Sequence, residues 1–220
     1  MKIYCIPGLG ADKRVFTKLK IPNTYDLQFI EYLQPHKNET LENYVKRISA
    51  QIDNTVPFQI IGLSFGGIMA TELSKIFTPL QTILISSVSS QSEVPWYYKS
   101  GRYFPLHKIV SSDLIKSTNQ FTYRFFNVIA DEDKALLQQI IAETDTVFLK
   151  WAIDKVVSWN HEERGANLIH IHGEADRVLP MRYTKPDIII KNGGHLMIYD
   201  KAEELSAIIT ACLGNVKKLE

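Results

Sequence analysis

The sequence predicts an α/β fold in which a mostly parallel sheet is covered by helices on both faces. Three observations predict it. Short apolar runs alternate along the chain with segments whose apolar residues recur at helical spacing. The strand-like runs are apolar throughout, which is typical of parallel strands buried on both faces. Between residues 89 and 165 no clear strand-like run occurs, which indicates a helical lobe inserted into the core.

The strands are predicted from apolar runs that end at glycine, proline or polar residues. The first run ends at Pro7-Gly8, and the run before Ser64 ends abruptly at a serine followed by Phe-Gly-Gly. The predicted strands span residues 3–6, 27–33, 58–63, 82–85, 168–172 and 187–190.

The helices are predicted from apolar residues that recur three and four positions apart. Thr40 is a suitable N-cap for a helix that begins at Leu41, and Gly214 is a suitable end for the last helix. The other predicted helices span residues 11–20, 67–77, 131–141 and 202–213.

The domain organisation follows from the break in this alternation. Residues 1–88 and 166–218 are predicted to form the core, and residues 89–165 a helical cap inserted between core strands. The cap holds 12 of the 23 aromatic residues. These rings can build the lobe's own core or line an apolar pocket, and both interpretations stay open. The candidates for substrate contact are Trp96, Tyr97, Phe125 and Trp151.

Composition and charge exclude several classes of protein. The chain has 220 residues, of which 45% are hydrophobic and 22% charged, as in an ordinary globular domain. A net charge of +1 gives no attraction to nucleic acid or to an anionic membrane. No apolar run approaches about 18 residues, and the N-terminus lacks the features of a signal peptide. We therefore expect a cytoplasmic protein whose partners include neither nucleic acid nor a membrane.

The two cysteines are predicted to be free thiols. Cys5 lies in an apolar run and Cys212 in a helical pattern. This is not the pattern of a secreted disulfide framework, and free cysteines are usually buried.

Two patterns could indicate a metal or a cofactor. His170 and His172 share one face of a predicted strand, but no further ligand cluster is evident, which favours packed histidines. Gly8-Leu9-Gly10 begins like a dinucleotide fingerprint, with Glu31 about 20 residues later, yet Lys13 replaces the third glycine. We therefore expect no metal and no cofactor.

A candidate nucleophile lies in Gly62-Leu63-Ser64-Phe65-Gly66, which matches the pattern Gly-x-Ser-x-Gly. The pattern stands between a predicted strand and a predicted helix. A sharp turn there exposes the serine at the carboxyl end of the strand, and small residues two before and two after it let the backbone approach closely. Because a serine hydroxyl is a poor nucleophile by itself, Ser64 needs a base.

The candidate base and its orienting acid follow two later strands. His195 comes after a pair of glycines that follow the strand at 187–190, so its imidazole is expected at the same edge of the sheet as Ser64. An acid should orient that imidazole. Asp176 is preferred, and Glu174, which is closer to the preceding strand, is the alternative.

Serine, acid and histidine thus each follow a core strand, in that order. In this respect the chain outside the lobe resembles the α/β-hydrolase family, whose triad runs nucleophile, acid, histidine. The motifs that carry the resemblance are the serine turn, the run Gly173-x-x-Asp176-x-Val178-Leu179-Pro180 and the pair Gly194-His195. The resemblance favours Asp176 over Glu174, because the family's acid lies three residues after that glycine and four before that proline.

The resemblance also implies an oxyanion hole. Its two donors would be the backbone N–H groups of Leu9, in the loop after the first strand, and of Phe65, next after Ser64. Pro7 stands where the family usually has a histidine, which leaves the support of this loop without an obvious source.

The chain departs from the family's pattern in two further ways. It begins at what would be the family's third strand, so a sheet of about six strands is expected. After Asp176 only ten residues, 177–186, remain before the last predicted strand, which is short for the helix of a parallel crossover. The usual helix there is expected to be reduced to a turn or two.

The resemblance implies a serine hydrolase that cleaves a carboxylic ester of a small molecule through an acyl-enzyme. An acyl-thioesterase, a lyase of the same fold and a non-catalytic ligand-binding relative are the alternatives. The sequence does not indicate an oligomeric state.

Overall fold

The computed structural model describes residues 1–99 and 120–216. In these ranges the chain forms a six-stranded sheet in the order β2-β1-β3-β4-β5-β6, and every neighbouring pair of strands is parallel. The strands are β1 (Lys2–Ile6), β2 (Asp26–Phe29), β3 (Phe58–Leu63), β4 (Thr82–Ile85), β5 (Leu168–Gly173) and β6 (Ile188–Ile190). The prediction of about six mostly parallel strands is confirmed.

Eight α-helices lie in the same two ranges. The first begins where predicted, because the Thr40 hydroxyl oxygen accepts a hydrogen bond from the N–H of Asn43 at 3.3 Å. The helices are α1 (Leu41–Ile48), α2 (Phe65–Leu73), α3 (Trp96–Lys99), α4 (Gln120–Phe126), α5 (Asp131–Glu143), α6 (Thr146–Ser158), α7 (Met197–Asp200) and α8 (Ala202–Val216).

Two hydrophobic cores cover the two faces of the sheet. Consecutive strand residues point to opposite faces, so that Ile60 belongs to one core and Ile61 to the other. The first core joins the strands to α1, α2 and α6, and the second joins them to α8. Strands β3 and β4 are buried along their whole length, which is why their sequences are nearly continuous apolar runs, whereas the edge strand β2 is largely exposed.

The second strand is shorter than predicted. It ends at Phe29, although the apolar pattern continues to Leu33. Beyond the strand, backbone groups form hydrogen bonds with side chains. The N–H and carbonyl oxygen of Glu31 bond to the side-chain amide of Gln51, and those of Leu33 bond to the hydroxyl of Tyr44. The predicted helix at 11–20 is also reduced, to a single 3₁₀ turn at Lys13–Phe16.

Several helix ends differ from the prediction. Helix α2 ends at Leu73, four residues early, and α5 ends at Glu143, two residues late. Helix α2 begins at Phe65 rather than at Gly67, because Ser64 itself occupies the N-cap position. Helix α8 continues through Gly214 to Val216. A glycine in a helix costs only about 1 kcal/mol relative to alanine, so it does not have to end the helix.

The connection between β5 and β6 has the reduced form that the sequence predicts. Its regular structure is one 3₁₀ turn at Met181–Tyr183. The strands nevertheless pair in parallel, with Ile171 opposite Ile188.

The segment between β4 and β5 contains four of the helices, α3 to α6, and no strand in the parts that are described. Helix α6 places Phe148 and Ala152 in the first core beside Phe65 of α2. Part of the predicted cap, 100–119, lies outside the described residues, and the cap's boundaries stay a prediction.

Both cysteines are buried free thiols, as predicted. Burial raises the pKa of the Cys5 thiol to about 12, so this sulfur remains protonated and unreactive at neutral pH. Among the helices that the structure describes, each is too short or too polar to span a bilayer.

Candidate active site

Ser64 is held in a strained turn between β3 and α2. Its backbone angles are φ 52° and ψ −120°, a conformation that residues other than glycine rarely adopt. Its N–H donates to the carbonyl oxygen of Ile85 at 2.9 Å, and its own carbonyl oxygen accepts hydrogen bonds from Gly67 N–H and Ser87 Oγ, at 2.8 and 2.7 Å. These three bonds keep the turn in place, and the side chain projects at the carboxyl end of the sheet.

The two glycines of the motif are required because backbone passes close to them. A Cβ added at Gly62 would lie 2.4 Å from the carbonyl oxygen of Gly66. A Cβ added at Gly66 would lie 2.2 Å from the carbonyl oxygen of Ile6 and 2.4 Å from that of Pro7. The motif thus packs the serine turn directly against the end of β1.

Gly66→Ala is therefore expected to destabilise the fold by about 3 kcal/mol, because backbone oxygens cannot rotate away as a side chain would. Urea unfolding measures the effect. Gly214→Ala is the matched control, since nothing lies within 4 Å of a Cβ added there, and it should leave stability unchanged or slightly higher. Equal stability of the two variants would contradict the close approach at Gly66.

Ser64, His195 and Asp176 form one chain of hydrogen bonds. His195 Nε2 lies 2.9 Å from Ser64 Oγ, and His195 Nδ1 lies 2.8 Å from Asp176 Oδ2. A carboxylate only accepts, so a neutral His195 donates from Nδ1 and has its Nε2 lone pair free for the serine proton. This is the arrangement in which an imidazole can act as a general base towards a hydroxyl.

Asp176 is buried and ionised. Burial alone would raise the pKa of its carboxyl group, but the attraction and hydrogen bond of His195, the proximity of His172 and the N–H of Leu179 outweigh burial and lower it. Its Oδ1 accepts hydrogen bonds from the N–H groups of Val178 and Leu179 at 2.8 and 2.9 Å. The other oxygen, Oδ2, thereby faces His195.

Glu174 lies apart from this chain. Its side chain is exposed, and its carboxylate accepts a hydrogen bond from the N–H of Asn192 at 3.2 Å. It stabilises the loop that leads to His195 but does not contact the imidazole.

The loop that carries His195 is packed against the end of β5. A Cβ added at Gly173 would lie 2.3 Å from the carbonyl oxygen of Gly193, and that oxygen accepts the N–H of Ala175 at 2.9 Å. A Cβ added at Gly194 would lie 2.7 Å from the Cβ of Asn127. Gly173 and Gly194 thus allow the loop that carries His195 to pack closely against its neighbours.

Comparison with known proteins rests on structure alone. No family model and no curated protein matches the sequence. Among solved structures, a thermophilic esterase from Thermogutta terrifontis has a TM-score of 0.71 at 14% identity, with 98% of this chain and 90% of that chain covered. MenH from S. aureus has a TM-score of 0.71 at 13% identity, with 99% and 94% covered. A putative lipase from Acinetobacter baumannii has a TM-score of 0.69 at 15% identity, with 100% and 85% covered.

The chain has the α/β-hydrolase fold. At such low sequence identities, structural similarity shows the fold alone, and it does not show the reaction.

An α/β-hydrolase takes its oxyanion donors from the residue after the nucleophile and from the loop after the strand that is β1 here. Phe65 is the first residue of α2, so its N–H has no acceptor within the helix. Leu9 lines the same cavity as Ser64. The Tyr32 hydroxyl donates to the carbonyl oxygen of Pro7 at 2.6 Å, which supplies the support that the missing histidine left unexplained.

A cavity of about 360 Å³ opens above Ser64 and His195. Its walls come from the loop after β1, from α2, from helices α5 and α6, and from the segment after Asp176. Most of the side chains that line it are aliphatic. They are Leu9, Ala11, Val15, Leu63, Ile68, Val88, Val94, Leu137, Ile140, Ile141, Ile153, Val156, Val157, Val178, Leu179 and Leu196.

The four aromatic residues predicted to contact substrate are not among the described residues that line this cavity, and their contact with substrate stays a prediction. Trp96 is 69% exposed, and the indole of Trp151 donates to the carbonyl oxygen of Glu39 at 2.9 Å. Tyr97 packs on Tyr183 and Phe125 on Phe121.

The next residue along each of two short helices faces the cavity instead: Tyr98 in α3 and Phe126 in α4. One position turns a helix by about 100°, so Tyr98 and Phe126 lie on a different face of their helices from Tyr97 and Phe125. Ser87 also lines the cavity and was not predicted. Its position just after β4, at the sheet edge that carries Ser64, is the signal that could have revealed it.

A pair of buried histidines lies behind Asp176. His170 Nε2 is 3.1 Å from His172 Nδ1, and His172 Nε2 is 2.7 Å from the carbonyl oxygen of Leu179. A carbonyl only accepts, so His172 donates from Nε2; as a neutral ring it then accepts at Nδ1, and His170 donates from Nε2. In the described ranges no group of three histidine, cysteine, aspartate or glutamate side chains is arranged to hold a metal ion.

This pair makes stability depend on pH. Burial lowers the pKa of both rings, that of His170 from 6.5 to about 3. As the pH falls below about 6.5, the unfolded chain takes up a proton at His170 while the folded chain does not, so acid favours unfolding. His170 alone should lower the free energy of unfolding by about 1.4 kcal/mol per pH unit between about pH 6 and pH 4.

Urea unfolding of the protein and of His170→Gln, from pH 7 to pH 4.5, measures this contribution. The free energy of unfolding should fall less steeply with falling pH in the variant than in the unchanged protein. His36→Gln, at an exposed position, is the matched control and should keep the original slope. Parallel slopes for the protein and for His170→Gln would contradict a neutral buried His170.

Proposed function

We propose that this chain is a serine hydrolase that cleaves a carboxylic ester through an acyl-enzyme. One observation carries the proposal: the hydrogen-bond chain Ser64–His195–Asp176, with distances of 2.9 and 2.8 Å, lies beside a cavity large enough for a small organic molecule.

In the first half of the reaction, Ser64 Oγ attacks the carbonyl carbon of the ester while its proton passes to His195 Nε2. The carbonyl oxygen becomes an oxyanion and accepts hydrogen bonds from the N–H groups of Leu9 and Phe65. The intermediate collapses as the bond to the alcohol oxygen breaks, and His195 donates the proton to that oxygen. The acyl group remains on Ser64.

In the second half, a water molecule replaces the alcohol. His195 Nε2 accepts a proton from the water as its oxygen attacks the acyl carbon, and the same two N–H groups stabilise the second oxyanion. The bond to Ser64 Oγ breaks, and Oγ regains the proton from His195. Asp176 holds the imidazole in the Nδ1–H tautomer in both halves and stabilises its charged form.

The strain at Ser64 and the burial of Asp176 support this reading, because each costs stability. A residue in such a backbone conformation costs about 1–3 kcal/mol, and buried carboxylates are rare unless they are paired. Both features place a hydroxyl, an imidazole and a carboxylate in line at the carboxyl edge of the sheet. In open parallel sheets this edge is where ligands bind.

Labelling with a fluorophosphonate probe tests the nucleophile. The probe should form a covalent adduct on Ser64, located by mass spectrometry of peptides, and the adduct should be absent in Ser64→Ala. If Ser64 stays unlabelled while a control esterase reacts, the proposal fails.

A substrate panel tests the bond that is cleaved. p-Nitrophenyl esters and acyl-CoA thioesters are compared by kcat/KM. The proposal expects the oxygen esters to be turned over. Turnover of the thioesters alone would reassign the bond, and a labelled serine without turnover of either class would indicate a lyase or a ligand-binding protein.

A further inference from the structure

The described residues around the cavity above Ser64 offer a substrate almost no polar partner. Among its described lining residues none is charged, and the side chains with polar atoms are Ser64, Ser87, Tyr98 and His195. The Ser87 hydroxyl donates to the carbonyl oxygen of Ser64 at 2.7 Å, and the Tyr98 hydroxyl to that of Val178 at 2.9 Å. The polar atoms that remain belong to the proposed catalytic machinery.

We infer that the ester carries an uncharged aliphatic chain that fills this cavity; the inference rests on the proposed function. A charged or strongly polar group placed there would lose its water without gaining a partner, which is heavily unfavourable. A methylene group gains by leaving water, and each buried methylene improves binding by about four-fold. The substrate class is therefore an ester of a simple aliphatic acid, and a diacid monoester or an amino-acid ester does not fit.

The chain is expected to pass beneath helices α5 and α6, which contribute Ile140 and Ile153 to the walls. Val147 lies in the same helix as Ile153 but is 63% exposed. Helix α6 therefore provides one position that faces the cavity and one that faces solvent, which makes a matched pair of variants.

The first experiment measures kcat/KM for p-nitrophenyl acetate, butyrate, hexanoate and octanoate, and for the mono-p-nitrophenyl ester of adipic acid. The value should rise by about four-fold per methylene until the cavity is full. The adipate monoester should react at least about 100-fold more slowly than the hexanoate of equal length, because its carboxylate would be buried unpaired. A flat profile, or equal rates for adipate and hexanoate, would overturn the inference.

The second experiment fills the cavity. Ile153→Phe should lower kcat/KM for the octanoate at least about ten-fold more than for the acetate, in line with the loss of two or more buried methylenes. Val147→Phe should leave both values unchanged. If the two variants behave alike, the chain does not lie against α6 and the inference fails. Hydrolysis of acetate with a labelled Ser64 but no dependence on length defeats only this inference, whereas no labelling and no hydrolysis defeats the proposed function as well.

A separate observation concerns the buried pair His170 and His172. The Nε2–H of His172 donates to the carbonyl oxygen of Leu179, whose own N–H donates to Oδ1 of Asp176. His172 Nε2 also lies 3.5 Å from Asp176 Oδ2, the oxygen that faces His195. His172 is fully buried and does not line the cavity.

We also propose that His172 is a positioning residue for Asp176. The Nε2–H of His172 holds the carbonyl group of Leu179, whose N–H holds the Asp176 carboxylate, and the Nε2–H of His170 supports this tautomer by donating to His172 Nδ1. A shift of Asp176 by even about 1 Å would misalign His195 and lower turnover by about 100-fold. Because His172 does not contact the cavity, KM should remain unchanged.

The test compares His172→Phe, which keeps a planar ring but removes the donor, with His172→Gln, which retains an N–H at a similar position. The concentration of active sites is first measured by fluorophosphonate titration, so that unfolded molecules are left out of the enzyme concentration from which kcat is calculated. The expected result is a kcat per active site about 10–100-fold lower for the phenylalanine variant, largely restored in the glutamine variant, with KM unchanged.

His161→Phe, at a partly buried position that does not line the cavity, is the control and should keep the original kcat. If His172→Phe cannot be folded, His170→Phe, which removes the hydrogen bond to His172 Nδ1 and leaves that from His172 to Leu179, should show a smaller loss in kcat. An unchanged kcat per active site in the variant that folds would overturn the proposal.

Discussion

Replacing Ser64 with alanine is expected to lower kcat/KM for a p-nitrophenyl ester by about 10⁵-fold or more, to the level that the oxyanion donors alone can sustain. The variant removes one oxygen atom and leaves intact the three hydrogen bonds that the backbone of residue 64 makes to hold the turn. The loss therefore belongs to the nucleophile and not to the fold. Circular dichroism and urea unfolding should show the same structure and similar stability.

His195→Ala should cause a loss of similar size, and the double variant should be no slower than either single variant. The reason is that serine and imidazole act in one step, so removing either one removes the step. Losses that multiply in the double variant would show that the two side chains act independently. Activity that survives in both single variants would sink the mechanism.

Ser64→Gly separates catalysis from strain at the same position. Neither glycine nor alanine carries a nucleophile, but glycine adopts φ 52° and ψ −120° without a steric cost. We expect Ser64→Gly to be about 1 kcal/mol more stable than Ser64→Ala, because release of strain outweighs the greater freedom of glycine in the unfolded chain. Equal stabilities would mean that the turn is not strained.

The fold could be predicted from the sequence because its strongest signal is local. Strands β3 and β4 have the predicted bounds, since both are continuous apolar runs whose ends coincide with loops. The predicted bounds are wrong where groups far away in the sequence determine how a segment folds. Nothing near Leu33 indicates that the Tyr44 hydroxyl, eleven residues away, will take over its backbone hydrogen bonds.

In the site, too, the features that follow from the sheet could be predicted, and those that depend on distant packing could not. The parallel sheet brings the carboxyl ends of its strands to one edge, so Ser64, His195 and an acid after β5 were expected there, and the family resemblance favoured Asp176 over Glu174. The structure brings Ser64, His195 and Asp176 within hydrogen-bond distance. The walls of the cavity could not be derived in this way. Whether Tyr97 or Tyr98 faces it depends on the rotation of a four-residue helix, which is decided by packing against the segment after Asp176.

The pair His170 and His172 was correctly expected to be packed within the strand, but its hydrogen-bond direction was not predictable. The direction follows from the carbonyl oxygen of Leu179, and that contact depends on how the loop after β5 folds back. Spacing in the sequence shows that two histidines share a face, whereas tautomers require three-dimensional neighbours.

Asp176→Asn is expected to lower kcat by about 10⁴-fold, because it reverses the direction of the hydrogen bond between residue 176 and His195. In the variant, the amide oxygen would take the place of Oδ1 and accept the N–H groups of Val178 and Leu179. The amide NH₂ would then face His195 Nδ1, which has to accept. The neutral imidazole would carry its proton on Nε2, pointing at Ser64 Oγ, and could no longer take the serine proton.

Glu174→Gln is the matched control, because it makes the same chemical change two residues away. Among the described hydrogen bonds, the Glu174 side chain takes part in one, which its carboxylate accepts from the N–H of Asn192. An amide oxygen can accept that bond equally well. Activity should stay close to that of the unchanged protein, while the stability of both variants is checked by urea unfolding. A larger loss in Glu174→Gln than in Asp176→Asn would assign the orienting role to Glu174, and it would require the loop after β5 to adopt another conformation during turnover.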